Sequence, residues 1–227
     1  FTFDSQIPTI VSTTPAKNST VHSLSQVSVI LDDALSGIDF VNTVARLLDK
    51  NGAPIGATMK NNGVNTITLN FTERKTDGSQ DGIYTIEITP ADRAGNIAGS
   101  AYKYEFSLAT QAPDIAIITP EDKDFVNMVD TINVRLLDYS SAGIDFKKST
   151  IILKNPDNIN IPGTLSSVDG NILRFKISAP LLRDGSQDGV YKIEVTAQDL
   201  AGNTSAKTFS FTYATEPPEI VSIIPED

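Results

Sequence analysis

The sequence predicts an all-β chain of two consecutive antiparallel β-sandwiches with about seven strands each. Three observations carry that expectation. Apolar and polar residues alternate with period two along most of the chain, and no stretch of a dozen residues shows a strong 3.6 period. Turn signals divide the alternating runs at near-regular spacing. The chain also repeats itself over a domain-sized distance. Asp77-Gly78-Ser79-Gln80-Asp81-Gly82 returns as Asp184-Gly185-Ser186-Gln187-Asp188-Gly189, and Pro8, Pro113 and Pro218 recur every 105 residues, as do Pro15, Pro120 and Pro225. That period is far longer than a solenoid repeat and long enough for each unit to bury its own core.

The strands follow in order. Val27, Val29 and Leu31 alternate with Ser28, Ile30 and Asp32, and Ile132, Val134 and Leu136 answer them in the second unit. Ile67, Leu69 and Phe71 are answered by Leu173, Phe175 and Ile177. Tyr84, Ile86 and Ile88 are answered by Tyr191, Ile193 and Val195. Tyr104, Phe106 and Leu108 close the first unit; Phe209, Phe211 and Tyr213 close the second. One face of each run stays apolar and the other polar, the pattern of antiparallel sheets with one wet side. Between the runs lie Lys50-Asn51-Gly52, Asn61-Asn62-Gly63, Asp81-Gly82 and Ala94-Gly95-Asn96, then Asp169-Gly170, Asp188-Gly189 and Ala201-Gly202-Asn203, whose Gly and Asn tolerate the positive φ of tight turns. Seven short strands per unit is the immunoglobulin-like sandwich count. Tyr84 and Tyr191 each follow an Asp-Gly dipeptide at the start of a strand, where such sandwiches place a corner tyrosine.

Phe1, Phe106 and Phe211 hold equivalent places in the repeat, so residues 1–6 are expected to be the last strand of a preceding repeat. Residues 7–110 and 111–215 are the two complete repeats, and 216–227 begin a following one, with Glu219-Ile220-Val221-Ser222-Ile223 as its first strand. The linkers Ala109-Thr110-Gln111-Ala112-Pro113 and Ala214-Thr215-Glu216-Pro217-Pro218 are short, with proline and no glycine, and are expected to hold the units stiffly as a rod.

Composition removes several function classes. The chain has no Cys and no Trp, and its one His is His22, so thiol chemistry, disulfides and Cys-based zinc sites are out. A net charge of −10 opposes nucleic acid and anionic membrane as partners. No apolar run is long enough to span a bilayer. His22 lies in a polar stretch expected to be a loop between the first two strands, and Asn127 stands near its place in the second unit. The recurring acids sit in turn motifs, so no catalytic constellation is expected. Asn18-Ser19-Thr20, Asn70-Phe71-Thr72 and Asn203-Thr204-Ser205 match glycosylation acceptors, read here as chance in an Asn-, Ser- and Thr-rich chain.

The segment from Asp81-Gly82-Ile83-Tyr84 to Asp92-Arg93-Ala94-Gly95-Asn96, and its copy from Asp188 to Asp199-Leu200-Ala201-Gly202-Asn203, resemble the closing part of bacterial immunoglobulin-like (Big-type) repeats. Ser36-Gly37-Ile38-Asp39 and Ala142-Gly143-Ile144-Asp145 look like the connection after their second strand, and the segments from Pro8 to Pro15 and from Pro113 to Pro120 like their first. The resemblance covers the whole chain. It implies a stalk or spacer in a larger secreted or surface protein of a bacterium, adhesins included. Some related bacterial arrays bind calcium at joints between units, which makes Asp114, Glu121, Asp122 and Asp124, with Asp92 and Asp199, candidate oxygen ligands. Against that, Ala16-Lys17 stands where the second unit has Glu121-Asp122, no Asp-x-Asp-x-Asp loop is present, and an Asx-type turn explains Asp92 and Asp199 without metal. Sugar binding would need exposed aromatic platforms, and Tyr139 alone stands off the core face.

The reading is therefore a non-catalytic spacer with no cofactor. It is expected to be monomeric and extracellular or surface-bound, with neighbouring repeats of its own chain as partners, no nucleic acid, no membrane insertion and no assigned ligand. The alternative is an adhesive module binding a host or cell-wall ligand through sandwich loops, stiffened by calcium. Differences between the units look scattered (Arg93 against Leu200, Lys60-Asn61-Asn62 against Leu165-Ser166-Ser167), which favours the spacer.

Overall fold

The computed structural model describes residues 3–140 and 142–219. Among them the chain forms two compact units, the first taking the residues up to Gln111 with Tyr139–Gly143 and Leu200–Asn203, the second taking Ala112–Asp138, Ile144–Asp199 and the residues from Thr204 onward. The first unit contains β1 (Thr9–Thr14), β2 (Thr20–Val21), β3 (Gln26–Asp32), β4 (Val44–Leu48), β5 (Thr58–Asn61), β6 (Thr66–Asn70), β7 (Gly82–Thr89) and β8 (Tyr102–Leu108). They form one sheet in the order β1-β3-β6-β5 and another in the order β2-β8-β7-β4. The second contains β9 (Asp114–Thr119), β10 (Asp124–Val126), β11 (Thr131–Leu137), β12 (Thr150–Lys154), β13 (Asn160–Ile161), β14 (Gly163–Val168), β15 (Ile172–Ile177), β16 (Gly189–Gln198) and β17 (Thr204–Tyr213). Its sheets run β14-β15-β11-β9 and β10-β17-β16-β12-β13, the same topology with β13 added at one edge. This is the strand order of the immunoglobulin constant-type sandwich.

The period-two residues make the cores. Val27, Val29, Leu31, Ile67, Leu69, Tyr84, Ile86, Ile88, Phe106 and Leu108 are buried together in the first unit. Ile132, Val134, Leu136, Leu173, Phe175, Ile177, Tyr191, Ile193, Val195, Phe211 and Tyr213 are buried together in the second. Tyr84 stacks on Phe106 with centroids 5.9 Å apart, and Tyr191 on Phe211 at 5.2 Å. Removing such area from water drives each unit's folding without cross-links.

The strand count exceeds seven per unit because the opening strand is split between sheets and, in the second unit, because the short β13 is added beside β12. In the first unit β1 pairs antiparallel with β3, then β2 pairs parallel with β8. In the second, β9 pairs with β11 and β10 runs parallel to β17. Pro15 and Pro120 lack the N–H that a continuing ladder needs. Asn18 (φ 62°) and Lys123 (φ 66°) then turn the backbone through the left-handed region toward the opposite sheet. The stretch around His22 is thus not a plain loop: Thr20 and Val21 are strand residues, and His22 itself is exposed in the bend that follows.

Phe3 to Pro8 carry no strand, and Asp4 bonds into the first unit as described below. Phe1, and the expected strand over Ile220–Ile223 with Pro225, lie outside the described residues. No helix among the described residues is long and apolar enough to cross a membrane.

Candidate functional site

Each repeated Asp-Gly-Ser-Gln-Asp-Gly segment folds into a clasp. In the first copy, Asp77 Oδ1 accepts from the Ser79 hydroxyl, which chiefly lowers the carboxyl's pKa, and from the Ser79 N–H at 3.0 Å. Gly78 takes φ 78° there, a conformation that favours glycine. Gln80 Oε1 accepts from Lys75 N at 2.8 Å, while the Gln80 carbonyl receives the Tyr84 hydroxyl at 2.9 Å. Asp81 then reaches 29 residues along the chain, where its Oδ2 accepts from Thr110 N at 2.8 Å and its Oδ1 from Thr110 Oγ1 at 2.7 Å. Thr110 Oγ1 also accepts from Gly78 N at 3.2 Å.

The second copy repeats every bond. Leu182 N donates to Gln187 Oε1 at 2.6 Å, Tyr191 Oη to the Gln187 carbonyl at 3.0 Å, and Gly185 N to Thr215 Oγ1 at 3.0 Å. Asp188 receives Thr215 N at 2.7 Å and Thr215 Oγ1 at 2.8 Å. The Thr215 N–H, opposed by desolvation and helped by the Thr215 hydroxyl, holds the Asp188 carboxyl below its ordinary value. The motif therefore fastens the chain just past the last strand of each sandwich, β8 in one and β17 in the other. The corner tyrosines expected from the sequence are present on the same turn.

A second polar cluster closes the opposite side of the first unit's loops. Asp4, Asp33 and Asp92 bring carboxylate oxygens within 4.8 Å of one another. Asp92, 1% exposed, accepts from Asn96 N at 2.8 Å and Asn96 Nδ2 at 2.7 Å. Burial pushes its carboxyl up, but the bonds from Asn96, Ser36 and Ala94 outweigh burial and lower it. Asp33 Oδ1 accepts from Gly37 N at 2.6 Å, and Asp4 Oδ2 from Ser36 N at 3.1 Å. Gly95, at φ 94°, makes the turn that aims Asn96 back at Asp92. Among the described residues these three acids are the group placed to offer oxygens to a cation, and each is also held by donors of the surrounding turns.

The other acids weighed from the sequence are separately engaged. Asp114 on β9 pairs with Lys207 Nζ at 2.6 Å, and that bond chiefly lowers its carboxyl. Asp122 accepts from Ser210 N at 2.9 Å, and Asp124 Oδ1 from Phe125 N at 2.8 Å. Glu121 is exposed, with its carbonyl receiving Asp124 N at 3.2 Å. Asp199 is buried and forms an antiparallel bridge with Ile144. Tyr139 is exposed, as the sequence suggested. Glu87 on β7 is 4% exposed yet charged. Lys103 at 2.9 Å and Arg46 at 2.5 Å hold it from the two flanking strands and lower its pKa. A concavity of about 570 Å³ lined by Gly56, Ala57, Thr58, Asn70, Phe71 and Thr72 has no titratable side chain in its wall.

Comparison with known families decides the identity of these units. The model of the bacterial Ig-like domain matches the chain twice, over residues 4–108 and 109–213. The chain belongs to the bacterial Ig-like domain family. It is a tandem pair of these domains. No curated protein matches it. Among solved structures, the fibronectin(III)-like modules of CbhA from Clostridium thermocellum are similar at 12% identity and TM-score 0.42, over 91% of this chain and 94% of theirs. A tetra-tandem repeat from the extending region of a large adhesion protein is 18% identical with a TM-score of 0.36, over 84% of this chain and 45% of that one. CopC from Methylosinus trichosporium OB3b is 20% identical with a TM-score of 0.35, over 44% of this chain and 92% of its own.

Proposed function

We propose that this pair of bacterial Ig-like domains is a non-catalytic spacer segment of a larger exported bacterial protein, setting the distance and orientation of another domain. The observation that carries the reading is the clasp. The most repeated segment of the chain is spent, bond for bond in both units, on fixing the exit of the last strand through Thr110 and Thr215. Asp81 and Asp188 spend both carboxylate oxygens on the N–H and hydroxyl of Thr110 and of Thr215, respectively. Family membership supports the module class. The linkers that follow each clasp contain proline and no glycine, which favours a stiff joint.

Small-angle X-ray scattering of the two-domain chain tests the reading. A spacer gives a distance distribution with two well-separated lobes and little change when ionic strength is raised. A broad distribution without separate lobes, or a collapsed one, would refute it. Replacing Gln111-Ala112-Pro113 by glycines should broaden the distribution if the linker residues supply the stiffness.

A further inference from the structure

The two domains differ most tellingly on one face of one sheet. On β15 of the second domain, Arg174 and Lys176 stand where β6 of the first has Thr68 and Asn70. On β11, Arg135 stands where β3 has Ile30. All three are on the wet face, since their strand neighbours Leu173, Phe175 and Val134 are buried. The pleat therefore groups three new cations in three successive rows, about 6.7 Å apart along the strands, in a chain of net charge −10. Arg135 and Lys176 are exposed, and neither is in an ion pair among the described residues. Arg174 Nε donates to Asn133 Oδ1 at 2.8 Å, which fixes that side chain on the sheet. The carboxylates nearest along these strands are Asp130, Asp138 and Asp169 beyond the strand ends, and Asp114, already paired with Lys207.

The same sheet has an open edge. β14, Gly-Thr-Leu-Ser-Ser-Val, is six residues long, uncharged, and pairs with β15 without a register shift. Edge strands are usually blunted by shortness, charge, proline or bulges. Among the described residues the other edges here are. β1 and β9 take part in shifted registers; β2, β10 and β13 have two or three residues; β5 has four and carries Lys60; β4 carries Arg46 and is capped by the Leu48–Pro54 bridge. β14 has none of these. Its core-side Leu165, opposite Phe175, remains 43% exposed. Its wet-side Thr164 and Ser166 lie beside Lys176 and Arg174. Both are short, so the Lys176 side chain can extend over Thr164 to the next strand position, while Arg174 is held toward Asn133 on β11.

We propose that the β14 edge takes up an extended acidic polypeptide segment from a partner, adding a fifth strand to this sheet. Main-chain bonds to β14 supply the docking. A carboxylate of the incoming strand faces Lys176, with Arg174 and Arg135 adding positive charge behind it on the same face, and an apolar side chain of that strand covers Leu165. An acidic linear glycan would use the cations but leave the open edge and Leu165 unexplained, so the strand is the occupant that accounts for both. This inference does not rest on the spacer reading.

The test uses the two-domain chain, a blocked, fluorescein-labelled octapeptide of alternating glutamate and valine, and a lysine–valine control. Saturable binding of the acidic peptide, with amide shifts confined to residues 163–168 and their neighbours, is expected. The paired substitution Arg174→Thr with Lys176→Asn carries the residues the first domain has at those sites, so it keeps the fold. It should weaken binding about tenfold or more. Absence of binding at millimolar peptide, equal binding of the lysine control, or an unchanged affinity in the double variant would overturn the proposal. So would binding of polygalacturonate that is lost in that variant without any shift at the β14 amides.

Discussion

The Tyr191 hydroxyl donates to the Gln187 carbonyl four residues upstream at 3.0 Å, while its ring lies stacked on Phe211 in the core. Tyr84 and Gln80 repeat the relation at 2.9 Å. One side chain thus ties the clasp turn to the packed interior, and the two contributions separate by mutation. Tyr191→Phe keeps the ring and removes the bond, and should cost about 1 kcal/mol. Tyr191→Ala removes a side chain that is 1% exposed and should cost ~3–5 kcal/mol. Urea unfolding followed on second-domain amides reads both. An Ala variant that loses under 1 kcal/mol would place the ring outside the load of the core.

Alkaline pH probes the same residues. Burial pushes the Tyr84, Tyr191 and Tyr213 hydroxyls up from their ordinary value of 10.0. A group whose folded pKa is raised contributes stability that is fully present below its unfolded value. That contribution is lost as pH rises through the folded value. Both domains should therefore hold their stability to about pH 10 and lose it above. Absorbance at 295 nm should show Tyr84, Tyr191 and Tyr213 ionising above their ordinary value. Ionisation of these three at that value would contradict the buried placement.

What the sequence discloses and what it hides follow from range and periodicity. Alternation over five or more residues exposes Val27, Val29 and Leu31 or Tyr191, Ile193 and Val195 as core positions, because one face of a pleat must be dry. β2 and β10 carry no such signal: two or three residues in a parallel pair are too few for a period. The Asp4–Asp33–Asp92 cluster was half hidden for a different reason. Asp92 sits in a repeated Ala-Gly-Asn turn and is visible, but Asp4 falls in a stretch read as belonging to another repeat, and Ala109 replaces it in the second. The clasp left a usable trace, the recurrence of Ala109-Thr110 as Ala214-Thr215 after each Asp-Gly motif. Its meaning needed the contact across 29 and 27 residues.

Asn96 should be the most sensitive polar position of the first domain. Its amide nitrogen donates to Asp92 Oδ2 at 2.7 Å and to the Asp4 carbonyl at 3.2 Å. Asn96→Ala leaves a buried carboxylate oxygen without that partner, at a cost of about 1–3 kcal/mol. Because Asp92 is held below 3.8 in the folded state, its contribution is present above that value and is lost as pH falls through the folded pKa. The variant and the parent should therefore converge in stability under acid and differ at neutral pH. A gap that persists unchanged below pH 2 would assign the loss to packing instead.

The clasp makes the sharpest local prediction. Asp188→Ala removes the acceptor of the Thr215 N–H and hydroxyl without touching the core, so the Thr215 amide should exchange with solvent markedly faster while Tyr191 and Phe211 stay packed. Asp184→Ala is the control, because Asp184 bonds Ser186 rather than Thr215. The Thr215 N–H lowers the Asp188 carboxyl. The clasp should accordingly survive below the ordinary carboxylate range and open only as pH falls through the depressed value, so Thr215 protection is lost on the acid side alone. Exchange at Thr215 that ignores Asp188→Ala would mean the strand end is held by the sandwich itself. The recurrence of Asp-Gly-Ser-Gln-Asp-Gly would then need another cause than fastening the exit of each domain.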